Sequence, residues 1–326
     1  MADQPELRSL KEGEPFNGFL LAQEVAFRTS AKGTEYLELK LADASGELKG
    51  FLWDLRAIEG DMDRLEPDVF VKVKGLASAY NGRIQLRLDK VRYAEDREVD
   101  DFSRFFPTSV RPVAEMLGEL DRLVAGIADF WIRRLLERLL VEDEALRTAF
   151  SQAPAAKSLH HVYLGGLLEH TLSVAAMAER ACDHYREMNR DLVLAGVLLH
   201  DLGKTAELTY QRTFGYSDAG NLMGHIAMES EWITRAAAGI PGFPEQLRLL
   251  ILHMVLSHHG RLEYGSPVLP KTPEALLVHY LDDLDGKLEA MFRGIREDTG
   301  TGNWTPFSRS LERMVYKSRW PKAENK

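Results

Sequence analysis

Between residues 16 and 93, hydrophobic and polar positions alternate with a period of two. Five runs do so: Phe16–Val25, Glu35–Ala42, Gly46–Trp53, Val69–Ala77 and Arg83–Tyr93. Val69, Val71 and Val73 take one face and Phe70, Lys72 and Lys74 the other; Ile84, Leu86 and Leu88 alternate with Arg83, Gln85 and Arg87. Such alternation marks half-buried strands. Ala31-Lys32-Gly33, Asp43–Gly46 and Asn81-Gly82 separate the runs. Asn-Gly between two alternating strands is a strong hairpin signal. Five short strands in one stretch predict a small closed barrel of the OB type, whose third and fourth strands are commonly separated by a helix. Asp54–Leu65 is the segment expected to supply that helix.

A charged stretch over 94–110 follows, and the period then becomes helical. Val113–Leu140 carries Leu117, Leu120, Val124, Ile127 and Ile132 at helical spacing. Gly165-Gly166 precedes a helix to about Tyr185. Further helices are expected over Leu192–Lys204, Leu222–Ala238, Glu245–His259 and Pro273–Ile295, with Gly260 and Pro273 as stop and start signals. In the last helix Leu277, Leu281, Leu284 and Leu288 predict a core stripe. Val278, Asp282 and Asp285 flank it, and Asp283 lies opposite. The fold class is therefore multidomain, α and β. A barrel domain is expected over 1–95, a linker and helical connector over 96–155, an all-α bundle over 156–300 and a tail over 301–326, frayed from Ser318.

Composition narrows the classes. The chain has 326 residues, of which 45% are hydrophobic and 28% charged, so it buries a core and is not a disordered chain. Its apolar runs, such as Leu192–Leu199, are too short to cross a bilayer. The first eleven residues are polar, so no signal peptide is expected. A single cysteine, Cys182, fits a reducing cytoplasm. The net charge of −9 argues against a long duplex-DNA footprint, though not against a local basic groove.

The histidines all follow residue 156. His200-Asp201 closes the apolar run Leu192–Leu199, where a buried helix normally avoids an ionisable pair. Both side chains reach an ion lying between them. Lys204 shares their face. A cation there does not help hold a metal; it suits an anionic substrate such as a phosphate. His170, His225, His258-His259, Asp282 and Asp285 are candidates for the same centre. Each has a plainer reading taken singly. His200-Asp201 alone is a buried pair at a helix end, and Lys204 alone is a basic residue meeting the helix dipole. His253, His184 and His279 are read as structural, and Cys182 as a small core residue.

The pattern His170 … His200-Asp201 … Asp282 resembles the ligand set of the HD phosphohydrolase superfamily, down to Lys204 of His200-Asp201-Leu202-Gly203-Lys204. Gly165-Gly166-Leu167-Leu168-Glu169-His170 and Gly220-Asn221-Leu222-Met223-Gly224-His225-Ile226, behind an OB-like barrel, are similar to the YhaM-type 3′→5′ exoribonucleases over nearly the whole chain. That family joins an OB-fold domain to an HD domain. The resemblance implies that His170, His200, Asp201 and Asp282 (or Asp285) hold one divalent ion. With Asp201 bridging, His225 and His258 (or His259) hold a second. It makes Asp201 and Lys204 catalytic, and puts Lys204, His161 and His259 against the substrate. Imidazole and carboxylate donors suit Mn²⁺, Fe²⁺ or Zn²⁺ better than Mg²⁺; Mn²⁺ is expected, one or two ions per chain. The implied reaction is hydrolysis of single-stranded RNA, or single-stranded DNA, from the 3′ end to nucleoside 5′-monophosphates. Polarity and RNA preference rest on the resemblance alone.

In the barrel, exposed aromatics would stack bases and basic residues would track phosphates. Candidates are Phe27, Tyr36, Trp53 and Tyr80, with Lys72, Lys74, Arg83 and Arg87. Lys72 and Lys74 beside Arg83 and Arg87, across the Asn81-Gly82 hairpin, would form a local basic groove. Residues 1–95 hold 14 Lys/Arg against 17 Asp/Glu, so binding depends on such a groove. Two other readings are open: an HD phosphohydrolase of nucleotides or cyclic nucleotides with a regulatory barrel, and a non-catalytic nucleic-acid-binding protein. A homo-oligomer in which barrels combine around one substrate is compatible with the charge.

Overall fold

Leu37, Leu39 and Leu41 are fully buried, while Tyr36, Glu38 and Lys40 between them point outward. That alternation makes strand β2 (Glu35–Asp43) one stave of a barrel. The other staves are β1 (Pro15–Thr29), β3 (Gly46–Leu52), β4 (Val69–Tyr80) and β5 (Arg83–Tyr93). These elements come from a computed structural model, which describes residues 4–80, 82–99, 102–156, 163–210 and 215–317. The strand order is β1-β2-β3-β5-β4, closed by β1 pairing with β4, and β3 runs parallel to β5. This is the expected OB-like barrel. Its core is Leu20, Leu37, Leu39, Leu41, Val71, Val73, Leu86 and Leu88.

The α-helix expected over Asp54–Leu65 is not formed. Two 3₁₀ turns, Leu55–Ala57 and Met62–Arg64, take its place. Asp54 and Asp61 each accept a hydrogen bond from the backbone two residues on, and Gly60 sits at φ +90° between the turns. Aspartates that bond their own backbone favour turns over helix.

The chain divides into two compact units, residues 1–108 with 209–215 and residues 109–208 with 216–326. The second is helical: α1 (Val113–Ala125), α2 (Phe130–Leu136), α3 (Glu144–Gln152), α4 (Gly166–His184), α5 (Arg190–Leu199), α6 (Lys204–Glu207), α7 (Asp218–Met223), α8 (His225–Ala238), α9 (Glu245–Ser257) and α10 (Pro273–Glu297). The single helix read over Val113–Leu140 is broken after Ala125; Asp129 caps a new one by accepting from Trp131 and Ile132 N–H. No helix among the described residues is long and apolar enough to cross a membrane.

The core stripe expected on the last helix is also different. α10 buries Ala275, Val278, Gly286 and Ala290, whereas Leu284 and Leu288 are exposed. The helices approach closely here: a Cβ on Gly196 of α5 would meet Met254 and Val278. Small residues fill such a contact and large ones are turned out of it. Residues 301–317 are held down: Trp304 bridges to Tyr316, and Leu311 and Val315 pack against Ala290. Ser318 onward lies outside the described residues.

Candidate metal centre

α5 is buried on every side from Leu192 to Leu199, as a central helix must be. It stops at His200, so the next turn places His200 and Asp201 inside the bundle, both buried. Four other helices converge there. α4 brings His170, α8 starts with His225, α9 ends before His258, and α10 contributes Asp282.

Asp201 stands between two groups of donors. On one side His200 Nε2 lies 3.4 Å from Asp201 Oδ2, and Asp282 Oδ1 lies 3.2 Å from His170 Nε2 and 3.7 Å from His200 Nε2. On the other, His225 Nε2 and His258 Nε2 each lie 3.6 Å from Asp201 Oδ1. His170, His200, Asp201 and Asp282 form one ligand-spaced group; Asp201, His225, His258 and His259 form a second. One carboxylate belongs to both.

The far sides of the rings are tied down. Nδ1 of His200 bonds Val197 O at 2.8 Å and Nδ1 of His258 bonds Val255 O at 2.7 Å. His259 Nδ1 bonds Tyr264 O, His225 Nδ1 bonds Glu207 Oε1 and His170 Nδ1 bonds Asp285 Oδ2. A carbonyl or carboxylate only accepts, so each Nδ1 carries the proton and each Nε2 presents a lone pair inward. Nε2 of His200, His225 and His258, together with Asp201 Oδ1, have no hydrogen-bond partner among the described residues. Orphaned buried acceptors are costly unless something binds them. Nitrogen and oxygen donors of this kind fit a divalent first-row cation.

Lys204 Nζ is 2.7 Å from Asp201 Oδ2. Burial opposes the charge on Asp201, yet the Lys204 ammonium outweighs it and holds the carboxyl well below the usual range. Burial, with His258 and His225 nearby, pushes His259 down to about 3, so it stays a neutral donor. Gly203 closes the turn after Asp201. A Cβ there would sit 2.3 Å from His225 O.

In the barrel, Tyr36 and Trp53 stack at 4.6 Å between centroids, and Phe51 stacks on Trp53 at 6.4 Å. Arg87 is the register neighbour of Phe51 across β3–β5. Lys72 and Lys74 lie on β4, and Arg83 and Arg87 on the neighbouring β5. An antiparallel hairpin opposes Tyr80 to Arg83 and Leu76 to Arg87, while Lys72 and Lys74 oppose Arg92 and Lys90. Arg92 and Lys90 are neutralised by Glu98 and Glu59. The side chain of Arg83, like His161, is outside the described residues.

A family model described as "HD domain" matches residues 167–287. A 3′-5′ exoribonuclease YhaM of Bacillus subtilis is 34% identical over 311 residues, 95% of this chain and 97% of that protein. The chain belongs to the YhaM family of 3′-5′ exoribonucleases. Among solved structures, the HD domain of the Listeria monocytogenes phosphodiesterase PgpH is similar at 19% identity, covering 49% of this chain and 77% of that one, with a TM-score of 0.30. An OB domain of MM0293 from Methanosarcina mazei is similar at 17% identity, covering 28% and 83%, with a TM-score of 0.23.

In this YhaM-family chain, Asp285 supports the centre from behind, and so do three residues beyond the sequence expectations, Ser173, Glu207 and Glu229. Asp285 does not face the other carboxylates; it holds His170 Nδ1 and accepts from Ser173 Oγ. Glu207 accepts from both the backbone N–H and Nδ1 of His225. Its place three residues after Lys204 was the available signal. Glu207→Ala frees the His225 ring, so divalent-ion affinity of the His225–His258 group should fall about 10- to 100-fold. Titration calorimetry with Mn²⁺ checks this, and unchanged affinity rejects the role.

Glu229, one turn after His225, is fully buried and accepts from Gly203 N–H at 2.8 Å. Burial, reinforced by Asp201, pushes its carboxyl well above its ordinary value of 4.5. A raised folded value means stability is intact below the ordinary value and drains as pH rises through the folded one. Glu229→Gln keeps the acceptor and removes the titration. Metal-free Glu229→Gln should match wild type near pH 4 and exceed it increasingly above, by up to about 1.4 kcal/mol per pH unit in that interval. A gap in Tm that does not change with pH would rule this out.

Proposed function

We infer that this chain is a metal-dependent 3′→5′ exoribonuclease acting on single-stranded RNA and releasing nucleoside 5′-monophosphates. The observation that carries the reading is the pair of donor groups sharing Asp201, with Lys204 beside them, in a YhaM-family chain. His170, His200, Asp201 and Asp282 would hold one cation; Asp201, His225, His258 and His259 a second. Mn²⁺ is the favoured ion, because imidazoles make up most of the set. Divalent cations bound there would polarise the scissile phosphate and activate a water at neutral pH.

The protein's own part is orientation and charge. Fixed Nδ1 bonds aim the Nε2 lone pairs before any substrate arrives, so no reorganisation is needed later. Lys204 is placed to move its hydrogen bond from Asp201 to a non-bridging phosphate oxygen. Beside the centre, Tyr264 is exposed under the Arg261 guanidinium, and its carbonyl is pinned by His259. In the barrel, the Tyr36–Phe51–Trp53 face with Arg87 suits stacked bases and one phosphate. Residues 1–95 would hold the strand, 96–155 connect, and 156–300 cut. The single, buried, free cysteine suits cytoplasmic work.

A 5′-labelled single-stranded RNA with Mn²⁺ tests this. A ladder shortening from the 3′ end with wild type, and none with Asp201→Ala, is expected. Intact RNA alongside hydrolysis of small nucleotides would instead make the chain a nucleotide phosphohydrolase.

A further inference from the structure

Two segments border the His225–His259 side of the centre, and both leave large apolar side chains in solvent. α7 ends with Leu222 and Met223, 85 and 52% exposed, directly before Gly224 and His225. The turn after α9 carries Leu262 and Tyr264, 61 and 56% exposed. The rings of His225 and His259 are 5.3 Å apart between centroids. Leu222 is three residues from His225, so their Cα atoms are within about 10 Å of each other. Tyr264 is tied more closely: its own carbonyl accepts from His259 Nδ1 at 2.8 Å. Both apolar segments therefore adjoin the same pair of donors.

Resting on the exoribonuclease reading above, we propose that Tyr264, with Leu222 and Met223, clamps the 3′-terminal nucleobase of the RNA while the 5′ phosphate of that nucleotide lies at the centre. In 3′→5′ hydrolysis to 5′-monophosphates the scissile phosphate and the terminal base belong to one nucleotide. A base site must then adjoin the donors, and these apolar side chains are what adjoins them. Every base has a flat face, so a grip by stacking tolerates any sequence. Removal of one nucleotide after another needs that tolerance. The ring is also held in advance. Tyr264 N–H bonds Arg261 O at 3.2 Å, Gly265 N–H bonds Leu262 O at 3.0 Å and Ser266 N–H bonds Arg261 O at 3.2 Å. Gly265 stands at φ +94°, where a side chain would be strained. A ring fixed in this way loses little freedom on binding. The charge suits a nucleotide. The Arg261 guanidinium lies 5.5 Å from the Tyr264 ring centre, and its ion pair with Glu263 is 3.7 Å long and exposed on both sides. Exposed pairs are weak, so the guanidinium can turn to a phosphate of the bound strand.

Two 5′-labelled single-stranded RNAs in Mn²⁺ test the clamp. One ends in an ordinary nucleotide; in the other the last nucleotide has hydrogen in place of its base. Removal of that last nucleotide is timed. Wild type should favour the complete end by about 10- to 100-fold in kcat/KM. The difference should appear in KM, as a contact already made before the chemistry requires. Tyr264→Ala should bring the ratio close to one, and Tyr264→Phe, which keeps the ring, should restore it. Leu222→Ser should lower it in part. Tyr264→Ala retains the carbonyl that His259 bonds, so Mn²⁺ titration shows whether its centre is intact; where it is not, Leu222→Ser decides. A wild-type ratio of one overturns the clamp and leaves this rim to a protein partner. A ratio unchanged in both Tyr264→Ala and Leu222→Ser also overturns it. Wild type that shortens neither RNA overturns the exoribonuclease reading, and the clamp with it.

Discussion

Asp201→Ala should lose both cations at once and at least about 10³ of the hydrolytic rate. The rate figure follows from several kcal/mol of charge stabilisation leaving with the ions, at 1.36 kcal/mol per factor of ten. The double loss is the more specific expectation. Among the described residues, Asp201 is the only one common to both donor groups. Asp282→Ala should therefore empty the His170–His200 group alone, and His225→Ala the other alone. Metal content after gel filtration, by mass spectrometry, separates these cases. One ion retained by Asp201→Ala would mean that the carboxylate does not bridge. The substitution also strips the largely buried Lys204 of its partner at 2.7 Å. Breaking a buried pair by removing one member is costly, about 3–5 kcal/mol. The variant should melt below wild type even without metal, and Asp201→Asn should recover part of that loss.

The second large effect belongs to the barrel. Tyr36→Ala with Trp53→Ala removes the stacked pair. A stacked base is worth about 1–3 kcal/mol, so affinity for a single-stranded oligoribonucleotide should weaken 10- to 100-fold. Cleavage of a dinucleotide, which needs only the helical unit, should keep its rate. Fluorescence anisotropy and single-turnover cleavage together make the test. A dinucleotide rate that falls as far as the affinity would place these rings elsewhere in the mechanism. Lys72→Ala should weaken binding less than Arg87→Ala, because only Arg87 neighbours the aromatic face.

The strands were legible because alternation is a local signal. Leu37, Leu39 and Leu41 could only face inward. The clustering of His170, His200, Asp201, His225, His258 and Asp282 was legible for a related reason: an ionisable pair ending an apolar helix has few uses, and the other donors lie on apolar helices as well. What stayed hidden depended on tertiary distance. Asp54 and Asp61 cap turns where a helix was expected, and nothing in the spacing alone ranks those two outcomes. Leu284 and Leu288 look like core in the sequence. They are exposed because α10 meets its neighbours through Gly286 and Ala290 instead. The choice between His258 and His259 as donor was open in the sequence; both rings lie with Asp201 and His225. Glu207 and Glu229 carried no motif; their roles depend on backbone groups that only the fold brings near.

The missing side chain at Gly203 has a consequence for the whole centre. With His225 O only 2.3 Å from where a methyl would stand, the backbone after Asp201 rests directly on the backbone that begins α8. The gap between the two donor groups is thus gauged by main chain against main chain, which yields far less than a rotatable side chain. Any pair of cations held there would have its separation set by the protein, and an alanine at this one position would force the two donor groups apart.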